Sequence, residues 1–337
     1  MSINTSQACL TGSVGGDPLF VGVYSTVFLL GLVLNLTALA VFFCHGKSRS
    51  HTIVYMTNLA LADLLLVLTL PVRVYYHLGL ALLPQWLCDG VGLVLLANMY
   101  GSIFLLACMC LDRCLAVSFP MSPRVCEARK KAPLVCLGVW VLTVGASLPT
   151  YISQRWEKGE ETNDTSCFGR LPVYTTQPVT LASTMTVGFG LPLAVMLASS
   201  WGLLRAIGRS AAAAKTELVD SRKIRRMVAT SLVIFLVCFL PYHCMLVFLY
   251  VYRTDVPCPL LAAYRYSLML ACLNAMLDPL AYYFTTETFR KRMDVGAMKR
   301  MFSLRNSSST EVQHKSRGPL NRELEDVLVG LSGMRGC

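Results

Sequence analysis

Five ionisable side chains stand where hydrocarbon would be expected. Asp63 lies in N-L-A-L-A-D-L-L-L-V, Asp112 and Arg113 close L-L-A-C-M-C-L-D-R-C, Asp278 lies in N-A-M-L-D-P-L-A-Y-Y, and Arg73 lies in L-T-L-P-V-R-V-Y-Y-H. A charge in an apolar medium is expensive, so such a residue is paired, functional or snorkelled to an interface. Carboxyls such as Asp63 and Asp278 can stay protonated and hydrogen-bonded in low dielectric. A guanidinium such as that of Arg73 can fork onto phosphate or carboxylate oxygens. The sequence has no GxxxxGK[ST], HExxH or paired Cys-x-x-Cys pattern, so the chemistry expected is recognition and switching, without catalytic residues or a metal centre. The chain is not expected to be an enzyme.

Membrane helices are needed to position these residues. The chain has 337 residues, is 55% hydrophobic and only 15% charged, too apolar for an ordinary soluble domain. Apolar runs of about 20 residues, enough to cross a bilayer, recur along it. They are read at 18–44, 52–78, 87–118, 132–152, 177–204, 227–251 and 260–284. The fold class is therefore an all-α membrane protein, a seven-helix transmembrane bundle. Residues 1–17 form an outer N-terminus, 18–284 the bundle, 285–296 (around T-T-E-T-F-R-K-R-M) a short amphipathic eighth helix, and 297–337 a tail. The sequence shows no charged leader with a cleavage site, and the first span is expected to act as a signal anchor.

Arg124, Arg129, Lys130, Lys131, Arg205, Arg209, Arg222, Lys223, Arg225, Arg226, Arg290, Lys291 and Arg292 fall on one side of such a bundle. The excess puts that side, and the C-terminus, in the cytoplasm and the N-terminus outside. Most of the net charge of +11 is thus a topology signal. Its division among short loops argues against nucleic acid as a partner.

Of fourteen cysteines, Cys9, Cys88, Cys167 and Cys258 fall outside, where three pairings are open. The cytoplasmic cysteines are expected to stay reduced, and Cys108 and Cys110 read as small buried hydrophobes. Asn4 and Asn163 begin outward-facing sequons and are candidate glycosylation sites, whereas the sequon at Asn35 is mid-membrane.

Arg73, Arg253 and Arg265 all fall near the outer mouth. Three cations around one cavity repel one another unless an anion joins them. His77, Lys158 and Arg170 add to that field. Snorkelling toward lipid headgroups is the plain alternative for each arginine. A channel or transporter would need charged rings or broken helices in matching halves, and neither pattern is present.

One landmark per span then points further: Asn35, Asp63, Asp112–Arg113, Trp140, Pro192, F-L-V-C-F-L-P-Y with Pro241, and N-A-M-L-D-P-L-A-Y-Y. In that order, over about residues 18–295, the set resembles the rhodopsin-like G-protein-coupled receptors. The resemblance implies a plasma-membrane receptor that couples to a heterotrimeric G protein. It implies a Cys88–Cys167 disulfide, which would leave Cys9 and Cys258 for each other. Asp63, Ser102, Asn274 and Asp278 resemble the family's sodium-binding cluster, an allosteric ion rather than a cofactor. Asp112–Arg113 looks like the family's D-R-Y switch with Cys114 in the Tyr place, and Tyr282 ends the N-P-x-x-Y motif, whose Asn is here Asp278. Phe239 stands for the usual Trp of C-W-x-P. In the closed bundle Arg113 is expected to pair with Asp112, with Pro241 and Pro279 bending helices that move. The cluster Ser307 to Thr310 would accept phosphates and recruit an arrestin, the plain alternative being the ordinary composition of a disordered polar tail.

The stretches T-L-P-V-R-V-Y-Y-H, N-M-Y-G-S-I-F-L-L-A-C and F-L-P-Y-H-C-M-L-V-F-L-Y-V-Y-R are similar to the lysophosphatidic acid receptors of the purinergic-receptor-related group. In that group arginines matching Arg73 and Arg253 bind the lipid phosphate. Nucleotide receptors carry basic residues where this chain has Leu246 and Leu268. Leu95 stands where amine receptors have an aspartate, and Cys272 where opsins have a lysine. An apolar floor of Leu95, Leu96, Met99, Phe239 and Leu268 suits an acyl chain. The expected ligand is a lysophospholipid, with a nucleotide or small carboxylate as the alternative and membrane lipids as surroundings.

Overall fold

The computed structural model describes residues 17–44, 51–80, 83–156, 167, 177–213 and 218–285. Among them there are helices and connecting turns and no strand. In order they are α1 (Pro18–Cys44), α2 (His51–His77), α3 (Gln85–Ser118), α4 (Pro123–Lys130), α5 (Ala132–Trp156), α6 (Pro178–Ser183), a π-helical turn (Thr184–Gly190), α7 (Leu191–Ala213), α8 (Leu218–Val251), α9 (Cys258–Cys272) and α10 (Asn274–Thr285). Six spans are long and apolar enough to cross a membrane, and a seventh is completed by α4 and α5, which meet at a 48° bend.

Outward positions carry exposed apolar side chains, Leu29, Val33, Leu137, Val141, Val233 and Val237 among them. Lipid covers such a surface, which is why these helices read as apolar all round. The 34-residue α3 is central, touching α2, α5, α7, α8 and α9. Its inward face, Leu95, Met99, Ile103, Leu106 and Cys110, is closed to solvent.

Prolines explain two local features that sequence reading did not foresee in detail. Pro279 has no N–H, so the carbonyl of Ala275 loses its helical donor. Asn35 of α1 supplies one instead, donating from Nδ2 to Ala275 O at 2.7 Å and to Gly31 O at 2.9 Å. Gly31 lets α2 come close at the same level, because a Cβ there would stand 2.8 Å from Val67 Cγ2, against an ordinary 3.6 Å from Ala275 O. The seventh span breaks at Leu273, between α9 and α10, ahead of Pro279. In the fifth span the wide π turn ends at Gly190, two residues before Pro192, which crowds the carbonyl of Gly188. Pro71 and Pro241 lie inside unbroken helices.

Cys88, in the first turn of α3, is joined to Cys167 by a disulfide, as the resemblance implied. The bond closes 79 residues of chain, a constraint on the unfolded state of about 4.5 kcal/mol in the loop-entropy account. Cys88→Ser or Cys167→Ser is therefore expected to lose most of its surface expression, measured as the surface-to-total ratio of a tagged receptor. Cys258 is also disulfide-bonded; Cys9, Asn4, Asn163, residues 286–296 and the Ser307–Thr310 cluster lie outside the described residues. One expectation fails here. Cys126 of α4, on the side where cysteines were expected to stay reduced, is disulfide-bonded as well. Cys108 and Cys110 are free thiols, half-buried and buried, in line with their reading as small hydrophobes.

Candidate functional site

At the outer mouth, Arg73 is 4% exposed although it is only one turn from the end of α2. Its guanidinium carbon lies 5.9 Å from the Tyr24 ring centroid of α1. One turn further on, His77 stacks on Phe20 with centroids 4.6 Å apart and planes 5° from parallel. Phe20 stacks in turn on Tyr266 of α9 at 5.1 Å. Arg73, Arg265 and Asp17 all lie within electrostatic reach of His77. Three of the predicted residues, Arg73, His77 and Arg265, thus meet around one aromatic stack. Arg265 is half-buried, and its Nε has no hydrogen-bond partner among the described residues. Sequence reading missed Asp17, a carboxylate beside the cations, because its charge partners are distant in the chain.

Arg253 does not join them. Helix α8 ends at Val251, and residues 252–255 form an exposed turn. The Arg253 guanidinium folds over the Tyr250 ring at 4.5 Å. Once the helix stops, the chain leaves the track that would have aimed this arginine inward; it takes the interfacial position of a snorkelled cation.

Below the mouth, Leu95 packs in one core cluster with Tyr24, Leu66, Leu70, Met269 and Cys272. Met99 and Phe239 belong to a second cluster, and Leu268 touches both. In the second, Phe189 of the π turn stacks on His243 at 4.3 Å and Phe235 meets Phe239 edge-on at 5.7 Å.

Deeper still, Asp63, Ser102, Asn274 and Asp278 are all fully buried. Asn98, which sequence reading passed over, donates from Nδ2 to Asp63 Oδ1 at 3.2 Å. Asn274 Nδ2 reaches Asp278 Oδ2 at 3.4 Å. Asp63 Oδ2, Ser102 Oγ, Asn274 Oδ1 and Asp278 Oδ1 have no hydrogen-bond partner among the described residues. Buried oxygens left in this way are costly unless a proton or a cation satisfies them. The donor set, hard oxygens with carboxylates among them, fits a sodium ion.

At the cytoplasmic end the structure corrects the expected switch. Asp112 does not pair with Arg113. Its Oδ1 accepts from Arg129 Nε at 2.8 Å, and its Oδ2 accepts from Arg129 Nη2 at 3.3 Å and from Thr52 Oγ1 at 2.6 Å. Neighbours on a helix point about 100° apart, so Asp112 faces α2 and α4 while Arg113 turns elsewhere. Arg113 Nε is buried with no partner among the described residues. Cys114, in the place of the motif's tyrosine, faces Gly202 of α7, where a Cβ would stand 3.0 Å from its sulfur. The small residue pair lets α3 and α7 approach. Tyr282 lies in α10, and its side chain is outside the described set. Trp140 donates from Nε1 to Asn58 Oδ1 at 3.0 Å, tying α5 to α2.

Comparison with known proteins agrees with this geometry. Residues 34–282 match the family model described as 7 transmembrane receptor (rhodopsin family). The chain is 33% identical to lysophosphatidic acid receptor 6 of Mus musculus over 308 residues, 86% of each chain. It is 32% identical to lysophosphatidic acid receptor 4 of Homo sapiens over 325 residues, 92% of this chain and 86% of that one. It is also 32% identical to purinoceptor 3 of Gallus gallus over 286 residues, 80% of this chain and 85% of that one. Single landmarks along the spans, a helix-three disulfide and this breadth of match converge: the chain belongs to the rhodopsin family of seven-transmembrane receptors, as a plasma-membrane protein that signals through G proteins and is not an enzyme.

Proposed function

We propose that the receptor is activated by a lysophospholipid entering from the outer side, its phosphate held by Arg73 with Arg265 and His77. The observation that carries this reading is the burial of Arg73 at the mouth, 4% exposed, with its guanidinium carbon 5.9 Å from the Tyr24 ring centroid. An arginine held there pays a desolvation cost that an anion would offset. Asp17 cancels part of the local charge, and the two arginines leave it net positive. The names of the relatives include both lysophosphatidic acid and purinoceptors. Leu246, fully buried, and half-buried Leu268 disfavour the nucleotide reading, since neither can meet a polyphosphate. The test is G-protein activation by a panel of lysophospholipids and nucleotides at matched receptor density. Activation by nucleotides alone would overturn the assignment.

A sodium ion held by Asp63, Ser102, Asn274 and Asp278 is part of this reading. The ion would neutralise the carboxylates when bound and favour the closed bundle. Exchanging sodium for choline is expected to tighten agonist binding several-fold, and Asp63→Asn to abolish that dependence. Equal agonist affinity in the two salts would mean that the two carboxyls are protonated instead. An arrestin as a further partner rests on the Ser307–Thr310 cluster.

A further inference from the structure

Asp17 stands among the cations of the outer mouth, where a carboxylate opposes the phosphate that they would hold. Its position is fixed from two sides. Oδ1 accepts from Leu19 N at 3.1 Å, which caps the start of α1 and holds the carboxylate there. Three residues on, Phe20 is 5% exposed and lies between His77 of α2 and Tyr266 of α9, stacked on both. This ring sandwich pins the start of α1 to the two helices that carry Arg73 and Arg265. Asp17 and both arginines are accordingly within electrostatic reach of the same imidazole, that of His77. Asp17 is nevertheless half-buried and in no ion pair among the described residues. Its charge is held near the arginines without being spent on either.

Charge then separates one headgroup from another. Two guanidiniums less one carboxylate leave a single net positive charge at this point of the mouth. A phosphodiester is singly charged, whereas a phosphate monoester carries about −1.5 to −2 at pH 7. The second charge of a monoester would face Asp17 as a like charge, which disfavours it. An ammonium carried on a short carbon chain from a phosphodiester would instead meet a carboxylate with acceptor oxygen to spare. We infer that Asp17 is the headgroup-discriminating residue of this mouth, receiving the ammonium of a zwitterionic lysophospholipid and repelling the second charge of a monoester. Asp17 acts in this way only with the phosphate on Arg73 and Arg265, as proposed above.

The experiment is displacement of a fluorescent lysophospholipid from the full-length receptor in lipid nanodiscs. The competitors share one acyl chain and differ in headgroup, a phosphate monoester against a choline phosphodiester. Asp17→Asn keeps the cap, since asparagine is an equally good N-cap residue, and removes the charge. It is expected to tighten the monoester about three- to five-fold and to weaken the choline diester by about as much. The ratio of the two affinities then moves by about ten-fold. Asp17→Glu keeps the charge and loses the cap geometry, and should leave that ratio within about two-fold of the wild type. An unchanged ratio in Asp17→Asn, or an equal loss of both competitors, would overturn the discrimination and leave Asp17 a helix cap alone. Normal affinity of both competitors in Arg73→Ala would overturn the phosphate site itself, so the two failures are read from different variants. A wild type that does not bind the fluorescent lipid would overturn both.

Discussion

Replacing Arg73 by alanine is expected to raise the EC50 of a phosphate-bearing lysolipid by ten- to a hundred-fold at matched surface expression. A charge-assisted fork onto phosphate contributes about 1.5–3 kcal/mol, and each 1.4 kcal/mol is about a factor of ten. Arg73→Lys should recover part of the loss, since a point charge keeps the attraction without the bidentate geometry. The same substitution at Arg253 is expected to cost less than about three-fold, because an exposed cation contributes little beyond long-range attraction. That contrast separates a site from a general positive field. Equal losses at both positions would mean that the two arginines act only as a charged rim, and normal potency in Arg73→Ala would withdraw the anionic ligand. Arg265→Ala should fall between them, being half-buried beside His77.

The difference between Arg73 and Arg253 also shows what the sequence can carry. Both read as arginines near the end of an apolar run, and counting residues from Asp63 puts Arg73 about 15 Å toward the outside. That count holds only while the helix continues. It does through His77 in α2, and it stops at Val251 in α8, where the turn redirects Arg253. The seven spans were legible because lipid imposes one requirement, about 20 apolar residues, that leaves a mark at each crossing. Asp63, Asp278 and Ser102 were legible for the converse reason, as polar residues that hydrocarbon does not tolerate by chance. Asn98 was not, since a carboxamide beside M-Y-G-S attracts no attention until Asp63 is seen across the helix interface. The π turn was hidden too; Pro192 announces a distortion without saying which kind. Asn35 reads as a landmark, but its partner, the carbonyl that Pro279 leaves open, is 240 residues away.

Arg113→Ala is expected to abolish G-protein activation while leaving ligand affinity within a few-fold, since it is remote from the mouth and reaches the partner's side of the bundle. The finer question is what restrains it. Were Asp112 the restraint, Asp112→Asn would raise basal turnover and Arg129→Ala would leave it unchanged. The geometry demands another result. Asp112 and Arg129 form one bidentate pair with side chains 3% and 9% exposed, braced by Thr52. Removing either partner strands the other, at a cost of about 3–5 kcal/mol for a buried pair. Each single substitution therefore releases α4 from α3, and each should raise basal turnover by a similar factor. The double variant should be no more active than either single one, because two residues acting through one contact do not add. Arg113 is then controlled through the Asp112–Arg129 contact that holds α4 to α3, with Arg129 in electrostatic reach of it, not through a bond to its neighbour. Additive effects in the double variant, or a silent Arg129→Ala at normal surface expression, would return Asp112 to its expected role as the direct partner of Arg113.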